Sequence, residues 1–285
     1  MPPTTPESQI TVHDQSKLKP FAFKTKKKIL ITTLLGILAI ALVAFISLAI
    51  MANKTTPDQK LYNFKTTVVE PVIRATKLSD SSKLEYTTTL LEKRVAELLV
   101  LYSDQGTSSE QTLDRLASLT QQHTGDSVWI IENTHSLSPQ EKILALLAIT
   151  NTTRAFETLT DDWAEFATIK DYSNDIQDIS QNGLKTEVGK FASTSDATAI
   201  TTFVGEQIST VGEEIKTVTP NSQAQKIALG RLEETGEYIP EAKFADAIYA
   251  LMRARQAIAV DRYLYASERE GSGETYDPGI VPEGS

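Results

Sequence analysis

Residues 24–54 read KTKKKILITTLLGILAIALVAFISLAIMANK, and this stretch decides how the whole chain is organised. Its 24 consecutive residues from 29 to 52 carry no charge. A helix of that length measures about 36 Å at 1.5 Å per residue, which exceeds the roughly 30 Å hydrocarbon core of a bilayer. The buried helix of a soluble protein is rarely apolar on every face over such a length. The sequence therefore predicts a transmembrane helix at 29–52.

A cleavable signal peptide is the alternative to a retained anchor. The tripeptide Ser47-Leu48-Ala49 offers small residues at the spacing of a cleavage site. Signal peptides, however, have a short basic lead and an apolar region of about 7–15 residues. Here 28 residues precede the apolar run, which is itself 24 residues long. We therefore expect the segment to be retained as an anchor.

The charges that flank the predicted span indicate its orientation. Six lysines precede the span, whereas only Lys54 lies close behind it. The positive-inside rule then places the N-terminus in the cytoplasm and the residues after 53 on the extracytoplasmic side of the cell membrane. The six lysines are Lys17, Lys19, Lys24, Lys26, Lys27 and Lys28.

Composition limits the class of partner and the compartment. Residues 1–54 contain seven lysines and two acidic residues, a net charge of +5, whereas the remaining 21 basic and 35 acidic residues give −14. An acidic ectodomain argues against nucleic acid as a partner, because phosphate binding needs clustered positive charge. The chain has no cysteine, so disulfides and thiol chemistry are excluded, which suits a bacterial cell envelope.

Apolar spacing predicts helices through most of the ectodomain. One long helix is expected after the Ser/Asp cluster at 79–82, with Glu92, Lys93 and Arg94 on the face opposite its apolar stripe. No segment has the pattern of a strand. The apolar stripe comprises Leu84, Leu91, Val95, Leu98 and Tyr102, spaced as on one face of a bundle helix. Near the C-terminus Ala247, Ala250, Ala254 and Ala257 form a strip that lets a neighbouring helix approach closely.

Short local patterns mark where helices begin and bend. Ser138, Pro139 and Glu141 have the spacing of a capping box with proline at the first helical position. The Thr-Pro pair at 56–57 predicts another helix start. Pro71 is expected to kink or break the helix that follows, because proline lacks the amide hydrogen.

These patterns predict an all-α protein with one transmembrane helix and an extracytoplasmic bundle of about six to eight helices. We divide the chain into a disordered cytoplasmic tail (1–28), the span (29–52), helical subdomains at 56–135 and 136–270, and a disordered tail (271–285). The two subdomains can form two packed sub-bundles.

Residues 56–125 resemble a bacterial envelope domain family of unknown function. Its members open with a Pro-Gly-x-x-Leu-Tyr-x-x-Lys motif just after a membrane span. The resemblance implies an extracytoplasmic helical bundle and no catalytic residue. Pro57, Leu61, Tyr62 and Lys65 match the opening, Asp58, Lys60 and Asn63 depart from it, and Leu91, Glu92, Arg94, Ala96 and Glu97 match the second helix of the family.

Metal-binding and catalytic patterns are weak. His13, His123 and His135 have no second ligand at metal spacing, so we expect them on the surface or at helix ends. Three aspartates (171, 175 and 178) fall on one helix face, where a solvated surface is favoured over a hard-cation site. The chain has no Gly-x-Ser-x-Gly and no phosphate-binding loop. We expect no enzyme, no cofactor and no metal.

One stripe of charge remains as a possible interaction surface. Arg255, Arg262 and Arg269 are spaced by seven on the last helix. They can form salt bridges to acidic helices, or they can dock an anionic partner such as a wall polymer or an acidic protein face. The favoured function is therefore an envelope structural or protein-interaction module. The alternative is a sensor-like or solute-binding bundle with a pocket between helices.

Overall fold

The computed structural model describes residues 23–57, 59–103, 110–160 and 167–270, and every regular element in them is helical. This confirms the predicted all-α class. In chain order the elements are α1 (Phe23–Asn53), α2 (Tyr62–Phe64), a π-helical turn (Lys65–Val69), α3 (Glu70–Thr76), α4 (Asp80–Ser103), α5 (Glu110–Asn133), α6 (Pro139–Thr160), α7 (Ala167–Thr194), α8 (Ala197–Ile215), α9 (Gln223–Tyr238) and α10 (Phe244–Glu270).

Helix α1 contains the apolar segment. Its portion Thr33–Asn53 is long and apolar enough to cross a membrane, with a mean hydropathy of 2.9. A membrane anchor and a signal sequence both have these properties. The chain divides into two compact units, Met1–Met51 and Ala52–Ser285.

The second unit is a helical bundle with one continuous apolar core to which both predicted subdomains contribute. Helices that are adjacent in sequence pack as pairs, α4 with α5, α6 with α7 and α9 with α10. Helix α10 also contacts α4, α6, α7 and α8, so it joins the pairs. Its alanine strip explains this position, because Ala247, Ala250, Ala254 and Ala257 are all buried and let neighbouring helices approach closely.

The apolar stripe of α4 is buried as predicted. Leu84, Leu91, Val95 and Leu98 are each at most 3% exposed, while the side chain of Tyr102 lies outside the described residues. Burial of each leucine contributes about 1.5–3 kcal/mol relative to an exposed side chain. Leu98 and its neighbours therefore hold α4 in the core.

The capping box at the start of α6 is also confirmed. The Ser138 amide donates to Glu141 Oε2 at 2.7 Å, and the Glu141 amide donates to Ser138 Oγ at 3.2 Å. Two amides that the helix leaves without partners are thereby satisfied. These hydrogen bonds, chiefly the one from the Ser138 backbone, hold the pKa of Glu141 below its ordinary value.

One local prediction in residues 56–76 was wrong, because no helix begins at Thr56 and Pro57 and the next helical residue after Asn53 is Tyr62. The predicted kink or break at Pro71 is met in part. The helix continues through Pro71 but is distorted just before it. The chain widens into the π-helical turn just before it, where the Glu70 amide donates to the Lys65 carbonyl five residues back. This spacing places Glu70 one turn above Lys65.

Candidate functional site

The most unusual feature of the bundle is a group of buried charges, which we call the ion network. It consists of Tyr62, Lys65, Glu70, Arg94 and Glu97. Tyr62 and Arg94 are fully buried, Lys65 is 1% exposed and Glu70 is 5% exposed. Charged side chains are almost never this buried unless they are paired. The buried charges of the ion network therefore depend on their ion-pair and hydrogen-bond partners within it.

Direct hydrogen bonds connect all five side chains. The Arg94 guanidinium forms ion pairs with both Glu70 and Glu97, and its Nη1 donates to the Tyr62 hydroxyl at 2.6 Å. Tyr62 in turn donates to Glu97 Oε2 at 2.5 Å. Lys65 Nζ donates to Glu97 Oε1 at 3.0 Å and to the Thr55 carbonyl at 3.2 Å. The last bond attaches the beginning of the second unit to the bundle.

The Tyr62 ring lies at the centre of three cations. Lys65 Nζ is 4.9 Å from the ring centroid, and the guanidinium carbons of Arg94 and Arg115 are 5.3 and 5.4 Å from it. Arg115, from α5, also donates to Thr66 Oγ1 at 2.7 Å. Cation–π contacts strengthen when water is excluded. Tyr62 therefore links α4, α5 and the π-helical turn.

The pKa values show how the network holds its charges. Burial raises the pKa of Glu97, but Arg94 and Lys65 outweigh it and hold that pKa below its ordinary value. Burial lowers the pKa of Lys65 despite the neighbouring Glu97. It also raises the pKa of Tyr62, so the phenol stays protonated as the donor to Glu97. Glu97 is therefore the central acceptor of the network.

The network is enclosed rather than accessible to a substrate. The Glu97 side chain is its most exposed member at 14%. Glu70 Oε2 and Arg94 Nε are buried with no hydrogen-bond partner among the described residues, so each retains capacity for an internal water. Chemistry on a bound substrate needs access that this arrangement does not provide.

His123 lies close enough to the network to experience its charge. It is 7% exposed, and neither ring nitrogen has a hydrogen-bond partner within the described part of the chain. Burial, with help from Arg94 and Arg74, lowers the pKa of His123 to about 4. The expectation of a surface or helix-end position was wrong for His123. His135 is exposed, and His13 lies outside the described residues.

A separate polar cleft lies between α4, α6, α8 and α10 and has a volume of about 190 Å³. Arg255 donates to both carboxylate oxygens of Glu214, at 3.2 and 3.3 Å. Burial raises the pKa of Glu92. The negative charge of Glu214 adds to this rise, whereas the positive charges of Arg262 and Arg255 reduce it. The cleft is lined by Glu92, Leu144, Ala148, Asn151, Thr152, Glu214, Arg255, Ile258, Ala259, Arg262 and Tyr263.

The predicted arginine stripe is divided by the fold. Arg255 is committed to Glu214 and its side chain is only 16% exposed. Arg262 is exposed at the edge of the polar cleft, and the side chain of Arg269 lies outside the described residues. The docking of an anionic partner on this stripe stays a prediction.

Metal-binding geometry is not found in the described part of the chain, where no group of three or more potential ligands converges. Asp175 and Asp178 are exposed, and the side chain of Asp171 lies outside the described residues.

The sequence interpretation missed the ion network because it assigned Arg94 to the outer face of α4. One signal could have revealed it. Tyr62, Lys65, Arg94 and Glu97 all belong to the two short motifs that carry the resemblance to the envelope family, and the structure brings them together. Comparison with protein families, curated proteins and solved structures finds no match for the chain.

Proposed function

We propose that this protein is a single-pass membrane protein of the bacterial cell envelope with its N-terminus in the cytoplasm. The support is the apolar segment Thr33–Asn53 together with six lysines before it and one close behind it. On this proposal the segment is retained, and the unit that begins at Ala52 is held outside the membrane.

The ectodomain acts, on the same proposal, as a structural or protein-interaction module without catalytic activity. The observation that carries this is the enclosed ion network, which directs five polar side chains into holding α2, α3 and α4 together. Its residues include four that match the envelope family motifs, which supports a shared bundle fold. The partner on this proposal is another envelope protein or a wall polymer.

Protease treatment of intact cells tests the topology. Protease should remove the residues after 53 and leave the N-terminal tail intact. The matched control is the same treatment after permeabilisation, when the tail should also be lost. N-terminal sequencing of the mature protein provides the second readout. A mature chain that begins near Ala49 would contradict the anchor.

Cross-linking in intact cells tests the interaction role. The full chain is compared with a chain shortened to residues 1–56, which keeps the span and lacks the bundle. An envelope component that is cross-linked only to the full chain is the expected result. Equal cross-linking of both chains, or of neither, would contradict an interaction module.

A further inference from the structure

The polar cleft is small, and both polar and apolar side chains line it. Its volume of about 190 Å³ corresponds to about six water molecules at ~30 Å³ each. Side chains such as Leu144, Ala148 and Ile258 supply apolar surface, whereas charged, amide and hydroxyl groups supply polar surface. On one side of the cleft, Arg255 donates two hydrogen bonds to Glu214, so neither charge needs a ligand there. The space therefore suits a compact ligand with both polar and apolar parts.

Three groups that line the cleft lack bonded partners among the described residues. Asn151 is 5% exposed, and its Oδ1 is buried with no hydrogen-bond donor. Within the described part of the chain neither Glu92 nor Arg262 forms an ion pair or a hydrogen bond, and the charge of Arg262 opposes the rise in the pKa of Glu92. A buried polar atom without a partner costs free energy comparable to a lost hydrogen bond. The cleft thus offers a carboxylate and a guanidinium to a ligand, with the buried Asn151 amide in its lining.

The complement of these groups is a molecule with opposite charges at its two ends. An ammonium group satisfies the Glu92 carboxylate. A carboxylate forms a charge-assisted, bidentate pair with the Arg262 guanidinium. We propose that the polar cleft binds a small zwitterion with the chemistry and size of a free α-amino acid such as alanine. This proposal does not depend on the membrane anchor.

Calorimetric titration of the purified full-length protein in nanodiscs tests the proposal with three probes. L-alanine carries both charges, propionate lacks the ammonium group, and ethylamine lacks the carboxylate. L-alanine should bind saturably, and each of the other two should bind at least about tenfold more weakly, because a single charge leaves one side of the cleft unpaired. Because all three probes are titrated into the wild-type protein, this comparison does not depend on the folding of any variant.

Two cleft variants assign the binding to this site. Arg262→Gln and Glu92→Gln should each weaken L-alanine binding by about tenfold or more. Arg253→Gln is the matched control, because Arg253 is an exposed arginine on the same helix that does not line the cleft. It should leave the affinity unchanged, and circular dichroism should show equal helix content in all three variants.

Several outcomes would overturn the proposal. Absence of saturable L-alanine binding to the wild-type protein would mean that Glu92 and Arg262 satisfy only each other and solvent. Propionate binding as tightly as L-alanine would indicate an anion site instead. L-alanine binding that survives both cleft variants would place the ligand elsewhere.

Discussion

Replacing Arg94 with methionine should destabilise the bundle strongly. Methionine keeps much of the length and apolar volume of the side chain but removes its charge and all of its hydrogen bonds. Arg94 is the only ion-pair partner of Glu70 in the described structure, whereas Glu97 also pairs with Lys65. The Arg94→Met variant therefore leaves the buried Glu70 carboxylate without a counter-ion. The Glu97 carboxylate keeps only Lys65 as its ion-pair partner.

The magnitude follows from this burial. Breaking a buried ion pair by removing one partner costs about 3–5 kcal/mol, because the remaining charge is uncompensated. Arg94 is fully buried and Glu70 is 5% exposed, so solvent screens little of that cost. For a domain of 150–250 residues the change corresponds to a fall in Tm of roughly 6–20 °C.

Urea unfolding of the full-length protein in detergent, followed by circular dichroism, measures the change in free energy of unfolding. Arg253→Met provides the matched control, since this arginine is exposed on α10 and should change stability by about 0.5 kcal/mol or less. Adding Glu70→Gln to Arg94→Met removes the isolated carboxylate and should recover about 1–2 kcal/mol.

Two results would refute this reasoning. If Arg94→Met unfolds within about 0.5 kcal/mol of the parent, then the ion network does not hold the bundle together. If Arg94→Met is unstable but Glu70→Gln recovers nothing, then lost packing rather than the isolated charge causes the defect.

Three further predictions test the core, the buried histidine and the helix cap. Leu98→Ala should cost about 2–5 kcal/mol in urea unfolding, because Leu98 is 1% exposed, whereas Leu229→Ala, at a half-exposed site, should cost little. His123 stays neutral in the native state down to pH about 4, while the unfolded chain protonates near pH 6.5. The unfolded state therefore binds more protons in this window, so unfolding measured from pH 6.5 to 4 should show a loss of about 3 kcal/mol that His123→Met removes. Ser138→Ala should lower stability by about 1 kcal/mol through loss of the α6 cap, whereas an unchanged melt would mean that Glu141 alone suffices.

The sequence predicted those parts of the fold that local periodicity determines. Leu84, Leu91, Val95 and Leu98 recur on one helix face and are buried in α4. The capping box at Ser138 was found because all its groups lie within four residues. Such signals are complete within a few turns of helix, so they survive without knowledge of the tertiary structure.

The candidate sites could not be predicted in the same way, because their partners are distant in sequence. Arg94 looks like a surface residue when only its neighbours Glu92 and Lys93 are considered. Its partner Glu97 is local, but its burial also depends on Tyr62 and Glu70, which are 32 and 24 residues away. The polar cleft likewise draws Asn151 and Arg262 from separate helices. Apolar periodicity can assign each residue to one face of its helix. It cannot predict which helix faces pack against each other.

The π-helical turn makes the length of one short segment critical. Each residue of an α-helix turns the chain by about 100°, so deleting a single residue such as the exposed Thr67 would restore a regular helix and rotate Glu70 away from Arg94. The shortened chain would have better local helix geometry, but Arg94 would lose one of its two counter-ions and Glu70 would lose its ion pair. Homologues and designed variants of this bundle should therefore tolerate substitution of Thr67 more readily than a change in the residue count of Lys65–Val69.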